Sequence, residues 1–291
     1  MLRWVDYRLR YIDPAPRVTL RTRGFSDRVP SDARPALEAF ISLSERGGDL
    51  NPYQSKTLQL NDTSGKTSRV RTDLLWADWG INHAHLTLEP IAEGARYSTR
   101  SNWILFFFIR GSEIFLIDVL PHDNGIFESF DLLEKLLTDW PDLTGTRIQN
   151  IIGISKPTST DPSSIRDLRR GGVNQAFEIN GNFYFSPGLG VTSASTSGRV
   201  TMVRDNIYQW GKILWKSIHD KNSPFYKKAI EQGISEPIFN IHFDERGLVL
   251  VCDKLGFRFP TSTDGDIRTH LQYNLLPEWA AEKLSEYKRA P

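Results

Sequence analysis

Two apolar runs, Trp103–Ile109 and Glu113–Leu120, stand only Arg110-Gly111-Ser112 apart. Runs this short and this rich in β-branched and aromatic residues extend as strands, and so brief a link joins them as an antiparallel hairpin. The chain is therefore built on a sheet through these residues. The first run is seven residues long and is closed by Arg110, far short of the ~18 uncharged apolar residues that cross a bilayer. No other segment is as apolar, so no membrane contact is expected. The first eight residues, Met-Leu-Arg-Trp-Val-Asp-Tyr-Arg, have no apolar core behind their charges and do not read as a secretory signal.

Around the hairpin the pattern changes from strand to helix and back. Residues 1–25 alternate loosely and read as two short strands broken by Pro14 and Pro16. Ser31 and Asp32 open a helix whose apolar positions are Ala33, Leu37, Phe40 and Ile41, and Gly47-Gly48 ends it. Asn61–Arg69 is polar and turn-forming, and a helix marked by Phe130, Leu133, Leu136 and Leu137 follows the hairpin. Lys156–Ser164, rich in Pro, Ser and Thr, reads as a linker. Beyond it, Phe177–Phe185 folds back at Asn180-Gly181. Val203, Ile207, Trp210, Leu214 and Ile218 form one face of a long helix. Ile238–Phe243 and Leu248–Val251 make another hairpin, and Pro277–Arg289 a polar terminal helix.

At 291 residues the chain exceeds the common domain size of roughly 100–150, so two domains are expected. The fold class is α+β. An N-terminal domain over 1–155, a small twisted antiparallel sheet with flanking helices, carries the histidine segment described below. A linker spans 156–170, and a second, smaller α+β domain spans 171–291.

The single cysteine, Cys252, sits in an apolar run and has no partner for an internal disulfide. A buried thiol fits a reducing compartment, so the cytoplasm is expected. The net charge of +1 supplies no global field for a polyanion. Between Met1 and Pro30, however, seven arginines face three aspartates. Such a basic edge either steers a polyanion or protects an edge strand from pairing with another chain.

Three of the six histidines, His83, His85 and His122, lie within forty residues of one another. In a strand, positions i and i+2 share a face, so His83 and His85 point the same way. His122 follows the second strand of the hairpin, where a sheet gives a working residue rigid support. Arg100 and Ser101 precede the first strand, and Asp118 and Asp123 bracket His122. Two chemistries want this set. One is a divalent metal held by His83, His85, His122 and Asp118 or Asp123, as in a metal-dependent nuclease or phosphodiesterase. The other is metal-free RNA cleavage, with no cofactor, in which histidines move protons and arginine holds the phosphate. A third reading leaves the histidines as ordinary members of the fold in a binding or regulatory protein.

The stretch Arg96–Phe127, with His83-Ala-His-Leu86 upstream, resembles the C-terminal half of RelE/YafQ-type mRNA interferase toxins. There a strand bearing arginine or histidine leads into an apolar hairpin that ends at a histidine. The resemblance implies a cytoplasmic endoribonuclease with a toxin or phage-defence role, RNA as substrate, association with the ribosome and an inhibitory protein partner. It makes His122 the terminal proton-transfer residue, His83 or His85 the second, and Arg100 the cation on the phosphate. Trp79–Leu86 is also similar to a motif of longer bacterial proteins of unassigned function.

Further substrate-binding candidates are Trp79, whose ring can stack a base, Ser101, and Arg199. Arg199 ends the Gly/Ser/Thr-rich stretch Ser186–Arg199 that runs into the long helix. Backbone N–H groups at a helix N-terminus bind anions, and the alternative is a plain loop whose Ser or Thr caps the helix. Trp215, off the apolar stripe of that helix, is a candidate interface residue. No P-loop, nucleophile elbow or CxxC pair occurs, which argues against NTPases, serine hydrolases of that type and zinc ribbons.

Overall fold

The computed structural model describes residues 1–60, 72–123, 125–148, 159–244, 247–252, 257–259, 271 and 274–276. The expectations for Asn61–Arg69 and for the terminal helix Pro277–Arg289 fall outside these residues. Two compact units divide the chain, Met1–Thr201 and Met202–Pro291.

The first unit opens with a helix, α1 (Leu2–Arg10), followed by strand β1 (Val18–Arg21). The two strands expected over residues 1–25 are thus one helix and one strand. The helix turns two charged side chains inward, Asp6 and Arg10, at the i, i+4 spacing. Arg10 donates to both the carbonyl and the hydroxyl oxygen of Thr57, and the Thr72 hydroxyl donates to Asp6. Arg17 is also buried, and Arg28 pairs with Asp118. Part of the basic excess of this region is therefore spent inside the fold.

The short helix α2 (Phe25–Arg28), then α3 (Arg34–Glu45), α4 (Thr57–Leu60) and α5 (Leu74–Trp79) lead into strand β2 (Asn82–His85). In α3 the buried residues Ala36, Leu37, Phe40 and Ile41 follow the expected stripe. Asp32 does not cap this helix; its carboxylate accepts the indole N–H of Trp103 at 2.8 Å. The hairpin is β3 (Trp103–Arg110) and β4 (Glu113–Pro121). Among the described residues they belong to a four-stranded sheet of order β1-β4-β3-β2. The sheet is mixed, not purely antiparallel, because β1 lies parallel to β4 while the other pairs are antiparallel.

Both faces of this sheet are covered, which is why Trp103–Ile109 reads as a continuous apolar run instead of alternating. Leu105, Phe107, Leu116 and Val119 pack on one side with Leu37, Phe40 and Ile41 of α3. Ile104, Phe106, Phe115 and Ile117 pack on the other with Leu132, Leu133, Leu136 and Leu137 of helix α6 (Phe130–Asp139). That second core extends past α6. After the two-residue β5 (Arg147–Ile148) and helix α7 (Pro162–Arg170), strands β6 (Ala176–Ile179) and β7 (Asn182–Phe185) add Phe177, Ile179 and Tyr184 to it, with Ile165 of α7.

The expected linker over 156–170 is accordingly replaced, in its described part, by α7. Asp161 caps this helix by accepting from Ser164 N, and Pro162 sits in its first turn. The division of the chain at Thr201, and not near 155, has the same cause, since residues 165–184 complete a core begun at residue 75. β6 and β7 meet at the expected turn, where Asn180 and Gly181 both take positive φ, 50° and 73°, as a two-residue hairpin loop requires.

Helix α8 (Gly198–His219) carries the chain into the second unit. There Ile207, Leu214 and Ile218 are buried along the expected stripe. Trp215 is 60% exposed, its ring stacked on His219. After α9 (Pro224–Glu231), strands β8 (Phe239–Asp244), β9 (Gly247–Cys252) and β10 (Phe257–Phe259) form an antiparallel sheet in the order β10-β9-β8. Cys252 is buried and unpaired beside Ala229 and Ile234. The protein is thus α+β, and among the described residues no helix is long and apolar enough to cross a membrane.

A candidate acid–base site at the sheet edge

The edge strand β2 brings His83 and His85 to the face of the sheet that α6 covers. His83 pairs in register with Phe106 and His85 with Ile104, while Ala84 and Leu86 enter the core under α3. His122 follows β4, and its position is fixed by a backbone hydrogen bond to Asn102 O at 2.8 Å. The three rings come together. His85 and His122 stack, with centroids 5.5 Å apart and planes 14° apart, and His83 lies 6.2 Å from His85. Phe127, in a single turn of 3₁₀ helix ahead of α6, walls the group at 5.0 Å from His83 and 6.3 Å from His122. His83 and His85 are 7% and 8% exposed, whereas His122 is open to solvent. The cluster therefore runs from the interior to the surface.

Its inner end rests on Asp73, the N-cap residue of α5. One carboxylate oxygen of Asp73 accepts from Leu75 N and Trp76 N at the start of α5. The other lies 2.6 Å from His83 Nδ1, with both side chains 8% exposed. Burial alone would raise the carboxyl pKa of Asp73. His83, Arg10 and the Trp76 N–H outweigh it and hold the group down at about 2, so Asp73 stays ionised beside the imidazole. At His85 burial, the neighbouring His83 and His122 rings and the charge of Arg100 all disfavour the imidazolium. A backbone contact with Ser101 acts the other way, and the net pKa is about 4. His85 is thus neutral at pH 7, as a proton acceptor must be.

The other sequence candidates divide. Arg100 is exposed, and its charge is felt at His85. Ser101 is half-buried and donates its hydroxyl hydrogen to Trp103 O at 2.6 Å. Trp79 is wholly buried in the core against Phe177, so it offers no face to a base. Asp118 is also buried and is paired with both Arg28 and Lys135. Its carboxylate is engaged by those cations. Asp123 is exposed. Among the described residues no three His, Cys, Asp or Glu side chains converge on a point where a metal ion could sit.

Arg199 is exposed, but the helix start beside it is no vacant anion cradle. The N–H groups of Gly198, Arg199 and Val200 already donate to Gly190 O, Gly188 O and Ser197 O. The Ser197 hydroxyl also accepts from Arg199 N. The stretch 186–199 is the capping loop of α8, the blander of the two readings.

That loop has a structural role the sequence conceals. Asp78 and Arg169 form a buried ion pair, 3.0 Å apart and 1% and 3% exposed. The Ser186 hydroxyl and Gly188 N both reach Asp78 O, at 2.7 and 2.9 Å. Arg169 also donates to Phe127 O at 2.7 Å. The pair therefore ties α7 and the loop to the residue that walls the histidines. At Gly188 a Cβ would stand 1.7 Å from Ala77 O. Gly188→Ala is expected to destabilise the protein by more than about 3 kcal/mol, because backbone must move to admit the methyl. A urea titration followed by far-UV circular dichroism measures this, and a midpoint equal to wild type would show that the loop does not pack on α5.

No known protein family, curated protein or solved structure matches the chain.

Proposed function

We propose that the protein is a metal-independent endoribonuclease of RelE-like type, acting on RNA in the cytoplasm. The observation that carries this reading is the stacked pair His85–His122, one ring buried and neutral, the other at the surface, with the charge of Arg100 beside them. The chemistry it serves is transfer of a phosphoryl group to a neighbouring hydroxyl. His85 takes the proton of the 2′-hydroxyl as O2′ attacks phosphorus. The P–O5′ bond breaks, and His122 gives its proton to the leaving 5′-oxygen. Arg100 balances the charge that develops on the phosphoryl oxygens. Asp73 and His83 hold the inner ring in place, and Phe127 keeps water from that side. A buried, unpaired Cys252 agrees with a reducing compartment.

The test is incubation of the purified protein with RNA and with DNA, with and without EDTA, beside His122→Ala. RNA alone should be cut, EDTA should have no effect, and the products should carry 2′,3′-cyclic phosphate and 5′-hydroxyl ends. Cleavage that EDTA abolishes, or that His122→Ala retains in full, would overturn the proposal.

A further inference from the structure

Most of helix α8 belongs to the second unit, where Ile207, Leu214 and Ile218 form its buried stripe. A different line of side chains faces water. Tyr208, Lys212, Trp215 and His219 follow one another at steps of four, three and four, so they stand in a row along the helix. All four are exposed, Tyr208 at 62% and Trp215 at 60%. The two aromatic residues are separated by roughly 10 Å along the helix axis, with Lys212 between them and Lys216 next to Trp215 in the chain.

Trp215 is braced on one side. The His219 ring stacks on it with centroids 4.3 Å apart and planes 30° apart, and His219 Nδ1 lies 2.8 Å from Trp215 O. An indole so backed has little rotamer freedom left to lose when a second ring covers its open face. Charge is concentrated on the same stretch. Residues 206–230 hold Lys212, Lys216, Lys221, Lys227 and Lys228 against the single carboxylate of Asp220, in a chain whose net charge is +1. Lys212 and Lys216 are exposed, and among the described residues neither has an ion-pair or hydrogen-bond partner. Arg204 and Asp205, ahead of Tyr208, neutralise each other at 2.7 Å.

The alternation of rings and free cations selects the partner. A protein interface or a membrane surface needs a continuous apolar area, and here Lys212 interrupts the aromatic row while the apolar stripe of α8 is already buried. The complement of planar rings alternating with ammonium groups is a polymer that alternates planar rings with anions. In a duplex those rings are already stacked on one another, so the polymer is a single strand. We infer that this face of α8 binds single-stranded nucleic acid, with bases stacked on Tyr208 and Trp215 and phosphates held by Lys212 and Lys216. The inference goes beyond the ribonuclease reading and takes nothing from it, because stacking and phosphate contacts serve RNA and DNA alike.

The experiment is fluorescence anisotropy of labelled oligouridylate and oligothymidylate at low salt, with the full chain carrying His122→Ala so that cleavage does not intervene. Both strands should bind. Added Trp215→Ala or Tyr208→Ala should weaken binding by about 5- to 150-fold, the effect of losing one stacked base. Added Lys212→Ala should reduce the slope of log Kd against log salt by about 0.7, one phosphate contact on a single strand. Trp215→Phe, which keeps an aromatic face, should retain most of the affinity and guard against a folding artefact. Absence of binding, equal affinity in the Trp215→Ala and Tyr208→Ala proteins, or equally tight binding of a duplex would overturn the inference. Tighter binding of a labelled oligoglutamate than of either strand would also overturn it and give the face to an acidic protein. Trp215-dependent binding by a wild-type protein that cuts no RNA would leave the face standing and remove the ribonuclease reading instead.

Discussion

His85→Ala is expected to lower RNA cleavage by about 10²- to 10⁴-fold, the usual contribution of a positioned acid or base. On the ribonuclease proposal the loss should fall on kcat, because the residue would act on the proton of the attacking hydroxyl and would not hold the bound strand. The pH profile separates this role from packing. With a pKa near 4, set first by burial and then by His83, His122 and Arg100, the wild-type rate should climb with unit slope below about pH 4 and stop climbing above it, until loss of the His122 proton lowers it again. Removing a neighbouring cation relieves the repulsion on the imidazolium. Arg100→Ala should therefore move that acid limb to higher pH as well as lower the plateau. A variant that only loosened the fold would lower the plateau and leave the limb in place, and that outcome would remove His85 from the reaction.

The same depressed pKa makes the fold sensitive to acid. An unfolded histidine titrates near 6.5, above the folded value of about 4. Between the two the unfolded chain binds more protons, so stability is fully present above about pH 6.5 and is lost as pH falls toward 4. Asp73, held at about 2 against 3.8 when unperturbed, has the same sign in a lower window. Its contribution is lost between about pH 4 and 2. In His85→Ala the upper of the two losses should disappear from a plot of denaturation midpoint against pH.

The second large effect concerns stability. Asp78→Ala is expected to cost about 3–5 kcal/mol, because it leaves the Arg169 guanidinium buried without its counter-ion. Both side chains are nearly inaccessible, and Phe127 O remains as an acceptor for the stranded guanidinium. The paired change Asp78→Leu with Arg169→Met should cost less than Asp78→Ala alone, since no charge is left behind. Urea midpoints of the wild type, the single and the double variant measure both. A double variant no better than the single would show that hydrogen bonds from Ser186 and Gly188, and not the ion pair, hold this junction. Arg169 also reaches the wall of the histidine cluster through Phe127. The variant that folds should therefore show a weakened site.

The elements legible in the sequence are those set by neighbours along the chain. The β3–β4 hairpin follows from two apolar runs and a short link, the β6–β7 turn from Asn180-Gly181, and α3 from its apolar spacing. The shared face of His83 and His85 follows from strand geometry alone, and the approach of His122 from its place after β4. Elements that bury charge were not legible. The helix α1 turns Asp6 and Arg10 inward, and α7 buries Arg169. Local hydropathy reads such residues as solvent-facing, so α1 looks like broken strand and α7 like linker. Their burial becomes favourable only when Thr57, Thr72, Asp78 and Phe127 arrive from elsewhere in the chain to satisfy them.

The candidate site divides along the same line. The sequence by itself determined which residue types lie on the working face of the sheet. Which carboxylate serves them was decided by the tertiary structure: Asp118 is nearer His122 in sequence but is paired with Arg28 and Lys135, whereas Asp73, ten residues before His83, reaches its ring. Trp79 likewise looks available for stacking until Phe177, about a hundred residues on, closes over it. Periodicity tells which way a side chain points from its own backbone. Charge pairing and burial depend on what other segments bring to meet it, and only the folded chain specifies that.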